Sequence, residues 1–208
     1  MYLTYLETSV LNPSARQCIK NCHDMHRSLM KGFPQVDDSN ARETAKVLYR
    51  VMMNDSIITI YIQSEGKPDL SKYEVLTPTV CKTQDISSLK EKLITGSTWK
   101  INLLAVPSKK VLREGKNSNR IFLTKADDRN EWLKRQGEKG GWKIDSIYEK
   151  SEQTCCGWKT TDKFRFNTIE FSGIIVIENQ EKFWRTFQTG VGPEKAYGCG
   201  MFIITNIQ

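Results

Sequence analysis

Histidine is scarce in this chain. Its 208 residues hold two, His23 and His26, three positions apart. Proline is scarce as well, at six, and no apolar run is long enough to cross a bilayer as a helix. No acidic cluster resembles a two-metal nuclease site, and no low-complexity tract argues for disorder. The opening residues, Met1-Tyr2-Leu3-Thr4-Tyr5-Leu6-Glu7-Thr8, alternate like a strand and lack the basic start of a secretory signal. They predict a cytoplasmic protein whose six cysteines are free thiols. Cys18-x3-Cys22-His23-x2-His26 lacks finger spacing, and no C-x2-C pair follows it downstream. Cys155 and Cys156 are adjacent and cannot easily share one ligand geometry, so neither a metal nor a cofactor is expected.

What the chain has in excess is positive charge, and that charge is concentrated. The net charge is +7, with a pI near 9.1. Between Lys100 and Lys143 stand twelve Lys or Arg against five Asp or Glu, so the whole net charge sits in this segment. Such a run is often only a solvated face. Here it predicts an acidic partner, nucleic acid before an anionic membrane, held in a basic groove between two domains.

The two histidines lie in Asn21-Cys22-His23-Asp24-Met25-His26-Arg27-Ser28-Leu29-Met30-Lys31-Gly32-Phe33-Pro34. The stretch predicts a helix over 21–31, with Asn21 as N-cap, Asp24 in the first turn and Lys31 in the last. Gly32 and Pro34 end it. Met25 and Leu29 share an apolar face, while His23, His26, Arg27 and Lys31 fall at spacings of three and four on the neighbouring one. Imidazoles beside fixed cations suit proton transfer next to phosphate. Taken alone, the stretch reads equally well as a plain surface helix.

The elements around it are read in order. Residues 2–8 form a strand, and Lys46 to Met52 with Ile57 to Ile62 form a hairpin about Asn54-Asp55. Asp85 to Ile94 is read as a helix and Ile101 to Val106 as a buried strand. The order so far is βαββαβ, the ferredoxin-like pattern shared with RNA-recognition modules. The second half repeats it, with Ile121-Phe122-Leu123 as its first strand and a helix from Asp127 to Gln136. A hairpin of Trp142 to Tyr148 and Phe164 to Ile177 follows, joined by a polar loop around Cys155-Cys156-Gly157. A helix from Glu181 to Gln188 and a strand from Met201 to Ile204 complete it. The expected fold class is α+β, with two tandem ferredoxin-like domains over 1–110 and 111–208 and a boundary within Ser108 to Asn119.

Before the last strand comes Gly190-Val191-Gly192-Pro193-Glu194-Lys195-Ala196-Tyr197-Gly198-Cys199-Gly200. Its glycines permit positive φ and close backbone approach, and Lys195 and Tyr197 add a cation and a stacking face. No G-K-[ST] follows and a strand comes next, so it is not a phosphate-binding P-loop. On spacing alone it is equally a turn.

With Met201-Phe202-Ile203-Ile204, this turn resembles the G-[IV]-G-x-x-K-[AS]-x-G-x-G-[LM] signature of the CasE family. These are the CRISPR repeat-processing endoribonucleases of the type I-E Cascade complex, within the RAMP superfamily. Met25 to Pro34 is similar to the family's [ML]-H-x-x-L-x-x-x-F-P helix. Phe122 to Leu133 looks like its P-L-x-x-x-x-E-x-x-x-W-L segment, and Phe171-Ser172-Gly173-Ile174-Ile175 stands where the family has F-E-G-x-L. The resemblance implies RNA between two ferredoxin-like domains and metal-independent cleavage at the 3′ base of a repeat stem-loop. It implies attack by the RNA's own 2′-hydroxyl, a 2′,3′-cyclic phosphate product, and retention of the guide RNA beside other Cascade subunits. The isolated chain is expected to be a monomer that avoids membranes. The family motif puts its histidine on His26, as general acid or base, and Lys31 and Arg27 become candidates for holding the phosphate.

Two departures stand out. The family has Tyr where this chain has His23, which is then either a second proton-transfer group or a neutral stand-in orienting the 2′-hydroxyl. Ile101-Asn102-Leu103-Leu104-Ala105-Val106-Pro107 lacks the two arginines of the family's F-R-L-R-A-N-P. Candidate RNA contacts are therefore Gly190, Gly192, Lys195, Tyr197, Gly198 and Gly200 in the turn, Lys159, Lys163 and Arg165 near the second hairpin, and Lys109, Lys110 and Arg113 in the basic segment. A non-catalytic RNA-binding subunit of the same complex is the alternative, and the paired histidines argue against it. An unrelated RNA-recognition regulator would carry a K/R-G-F/Y-G-F-V run, and none is present.

Overall fold

The alternation at the start of the chain becomes strand β1 (Tyr2–Ser9), with Thr4, Leu6 and Thr8 buried. The computed structural model describes residues 1–33, 45–113, 116–160 and 162–207, and among these the side chains of 112–118 are left aside. Pro34, the expected helix stop, and the side chain of Arg113 lie outside the described residues.

Helix α1 (Pro13–Lys20) follows β1, and α2 (Cys22–Met30) follows α1. The apolar periodicity does not predict α1, yet its start carries a local signal. The side chain of Asn12 accepts from the Ala15 N–H at 2.9 Å and Pro13 occupies the first turn. Hairpin β2 (Leu48–Met53) and β3 (Ile57–Ser64) matches the expected one, with Asn54 Oδ1 accepting from Ile57 N at the turn. A 3-10 segment (Leu70–Leu76) leads to β4 (Val80–Asp85). The first sheet has the antiparallel order β2-β3-β1-β4.

The expected helix from Asp85 is thus corrected. Asp85 ends a strand paired with β1, its carboxylate accepts from Ser87 N, and only one turn of helix, α3 (Leu89–Lys92), remains. Strand β5 (Thr98–Ala105) corrects the strand assignment too. It is a strand as expected, though buried only on alternate residues, and it pairs with β9 (Asp162–Ile177) and β10 (Phe202–Asn206). The first sheet is closed by β4 instead. The passage between sheets therefore runs through 86–97, and the expected boundary after residue 110 falls within the second half's elements.

Strands β6 (Ser108–Arg113) and β7 (Lys116–Phe122) form a separate two-stranded ribbon, so Ile121 and Phe122 do not start the second sheet. Helix α4 (Ala126–Gly140) ends at Gly141, whose φ of +78° places it in the left-handed region. Strands β8 (Trp142–Lys159) and β9 form a long hairpin, α5 (Gln180–Thr189) packs Phe183 and Phe187 inward, and β10 closes the order β10-β5-β9-β8. Renumbered within each half, both sheets have the same order, that of two ferredoxin-like units in tandem. Among the described residues no helix is long and apolar enough to cross a membrane.

Each half has its own core. Leu6, Met25, Leu29, Ile60 and Tyr73 are buried in the first, and Trp142, Phe171, Phe183 and Phe202 in the second. Each such side chain contributes about 1.5–3 kcal/mol by leaving water. The halves are joined by polar contacts. Gln63 donates to Phe187 O at 2.6 Å, Tyr49 Oη donates to Ala196 O at 2.9 Å, and the buried Arg50 and Glu170 pair at 3.4 Å.

Candidate active site

The site begins at Asn21. Its Oδ1 accepts from His23 N at 3.2 Å, capping α2 as expected. The same Oδ1 accepts from Trp158 N at 3.0 Å, and Nδ2 donates to Trp158 O at 3.2 Å. One side chain thus both starts the histidine helix and docks it on β8. Met25 and Leu29 sink into the first core, which turns His23 and His26 toward the second half.

They meet the glycine-rich turn there. Lys195–Tyr197 forms a single 3-10 turn between Glu194 and Gly198, both at positive φ. The Tyr197 ring stands 6.5 Å from that of His23 and 6.3 Å from that of His26, edge-on to both. On β9, Phe164 and Phe166 lie 5.0 and 6.0 Å from Tyr197. The two stretches of greatest interest in the sequence, some 170 residues apart, are in contact.

The turn is held by its own backbone. Val191 N donates to Gly200 O at 3.0 Å and Gly200 N to Leu104 O at 2.7 Å. A Cβ on Gly200 would stand 2.5 Å from Val191 O, and one on Gly198 would stand 3.1 Å from the Tyr49 ring. Gly190 and Gly192 also have positive φ. Burial pushes the Glu194 carboxyl up, and Arg120 on β7 opposes it, so the ribbon lies near this turn.

The electrostatics favour a neutral His23. Burial lowers its pKa first, Lys159 and Arg27 lower it further, and Asp24 opposes them. Its Nδ1 is buried with no hydrogen-bond partner among the described residues. Arg27 and Lys31 are exposed.

The ladder separates the candidate cations. Cys155-Cys156-Gly157 lies inside β8 and is not a loop, with Cys155 opposite Phe166, Gly157 opposite Phe164 and Lys159 opposite Asp162. These share the face that carries Phe164 and Phe166, so Lys159 belongs with the histidines. Lys163 and Arg165 alternate with the phenylalanines onto the other face and are exposed. Lys109 and Lys110 are exposed on the ribbon. The expected basic groove is corrected as well. The cleft between the sheets, about 670 Å³, is lined by Lys20, Arg50 and Lys150, and from 100–143 only Leu104 reaches it among the described residues. Arg129, counted in the basic run, is buried and held by Glu149 at 2.7 Å and 2.5 Å. Sequence reasoning missed Phe164, Phe166 and the second role of Asn21. The alternation Lys163-Phe164-Arg165-Phe166 was the one signal for the phenylalanines.

Two ferredoxin-like units with paired imidazoles at their seam, beside Lys159 and Arg27, define a double-ferredoxin protein with titratable and cationic side chains gathered between its halves. The chain belongs to the family described as CRISPR associated protein, whose model matches residues 1–205. It is 24% identical over 219 residues to the CRISPR-associated endoribonuclease Cse3 of Thermus thermophilus, covering 98% of this chain and 99% of that one. Among solved structures, CRISPR endoribonuclease Cse3 bound to 19 nt RNA matches with a TM-score of 0.84 and 22% identity over 99% of this chain and all of that one. A chain of a CRISPR RNA-guided surveillance complex, pre-nicking, matches with a TM-score of 0.70 and 19% identity over the whole of both.

Proposed function

We propose that this chain is a metal-independent endoribonuclease that cuts CRISPR precursor RNA within its repeats, at the 3′ base of a stem-loop. It then keeps the guide RNA as a subunit of the surveillance complex, in the cytoplasm. The observation that carries the reading is the meeting of His23 and His26 with Tyr197 across the seam. The Cse3 and surveillance-complex likenesses support the substrate and the partners.

The chemistry needs a base to take the proton from the 2′-hydroxyl and an acid to give one to the departing 5′-oxygen. The 2′-oxygen attacks the adjacent phosphorus, the bond to the 5′-oxygen breaks, and a 2′,3′-cyclic phosphate and a 5′-hydroxyl result. His26 is general acid or base. His23, held neutral by its lowered pKa, suits the base. Lys31, Arg27 and Lys159 balance the charge that builds on the phosphorane. Lys163 and Arg165, with Lys195 and the ribbon's Lys109 and Lys110, hold the backbone of the stem, whose deep groove is too narrow for ordinary base readout.

The test is incubation with CRISPR repeat RNA in EDTA. A single cut leaving a cyclic-phosphate end is expected. Tight binding with no cut would favour the non-catalytic RNA-binding subunit.

A further inference from the structure

The acid–base reading leaves three thiols unused at the same seam. Cys22 opens α2, Cys155 lies on β8, and Cys199 lies in the glycine-rich turn. The Cys22 sulphur sits directly over β8, since a Cβ on Gly157 would stand 2.9 Å from it. Gly157 and Cys155 are two apart in one strand and face the same way. Each of the two thiols is the leading influence on the other's pKa, as expected of neighbours. Their exposure differs. Cys22 is buried and Cys155 is only half-buried, and both line the cleft between the sheets. Of the two residues, Cys155 is the more open to a small molecule.

We propose that Cys22 and Cys155 are a redox modification site, forming a reversible disulfide that ties the foot of the histidine helix to β8 when a peroxide enters the cleft. The Cys155 sulphur attacks one peroxide oxygen. The O–O bond breaks, a sulfenic acid forms, and water leaves with the thiol's proton. Cys22 then attacks that sulphur, the S–O bond breaks, and a second water leaves with the Cys22 proton. Two thiols and one peroxide give one disulfide and two waters, the sulphurs supplying both electrons. The division of labour follows from the contact. Cys22 lowers the Cys155 pKa and favours its thiolate, while Cys155 and burial raise that of Cys22. Cys199 is fully buried, and burial raises its thiol's pKa. Cys156, next in the strand, also borders the cleft but alternates to the face opposite Cys155, with Arg165.

The test uses the full chain with hydrogen peroxide, read by intact mass and peptide mapping, independently of any RNA cutting. The expected product has lost two hydrogens, yields a linked peptide pair joining Cys22 to Cys155, and returns to the starting mass with dithiothreitol. Cys155→Ser should not form the link. Cys22→Ser should stop at a sulfenic acid on Cys155 that dimedone captures, and Cys156→Ser should oxidise like the parent. An unchanged mass, oxygen added only at Cys156 or at methionine, or a link from Cys155 to Cys199 would overturn the assignment.

Discussion

Asn21→Ala removes one side chain with three hydrogen bonds, two of them crossing between the halves. Loss of the N-cap costs about 1 kcal/mol. The N–H and C=O of Trp158 are then left partly buried without their partner, at about 1 kcal/mol each. The sum is about 2–4 kcal/mol. For a chain of this size each kcal/mol moves the thermal midpoint by about 2–4 °C, so a fall of about 4–16 °C is expected. The effect on function should be larger than stability alone implies. The helix start sets where His23 and His26 stand, and a shift of about 1 Å at a reacting group can cost about 10²-fold in rate. Asn21→Asp keeps an acceptor for His23 N and Trp158 N but turns a second oxygen on Trp158 O, so it should fall between parent and Asn21→Ala. The assay is thermal unfolding beside single-turnover cutting of repeat RNA. A midpoint within 1 °C of the parent (roughly the loss of no bond), with an unchanged rate, would refute the claim that Asn21 docks the helix.

Three further outcomes are expected at the site. His26→Ala should lose about 10²–10⁴-fold in cutting rate with repeat affinity kept, as measured by single-turnover kinetics and filter binding, and a near-parent rate would remove His26 from the chemistry. His23, with its pKa lowered, should stay neutral until the pH falls below the ordinary histidine range. A limb of the pH–rate profile should then lie on that acid side, absent in His23→Tyr, with His23→Phe slower than His23→Tyr. The same shift means that stability is lost as pH drops through that range, because the unfolded chain binds the proton first. Parent-like rates and pH shape in His23→Phe would make His23 a packing residue. Gly198→Val forces a β-branched residue to φ +84° and against Tyr49, so RNA affinity and the thermal midpoint should both drop, whereas Gly66→Val, in open space, serves as the silent control. Equal affinity in a folded Gly198→Val protein would leave the glycine with no part in binding.

Much of this was legible locally. Asn21 as a cap, the Met25 and Leu29 stripe, the hairpin at Asn54-Asp55 and the positive-φ glycines each rest on a few adjacent residues. What was not legible depends on distant partners. Asn21 meets Trp158 across 137 positions, and no short pattern encodes that contact. Ile101 to Val106 reads as a buried strand in either sheet, and only its register with Gly173 and Phe202 assigns it. Cys155-Cys156-Gly157 has the composition of a loop, but the ladder runs on through it, opposite Phe164 and Phe166, which pack against the distant Tyr197.

The contact of His23 and His26 with Tyr197 also bears on how the chain acquires its site. The helix is synthesised more than 160 residues before the tyrosine. Each sheet can condense around its own core with modest chain closure, whereas the seam needs a pairing across more than 160 residues. Secondary structure should therefore return early in refolding, by circular dichroism, and RNA cutting should return later. Simultaneous recovery would mean that the halves form as one unit. If the order holds, a chain can have both sheets complete and still be inert, with its histidines waiting for a partner made last.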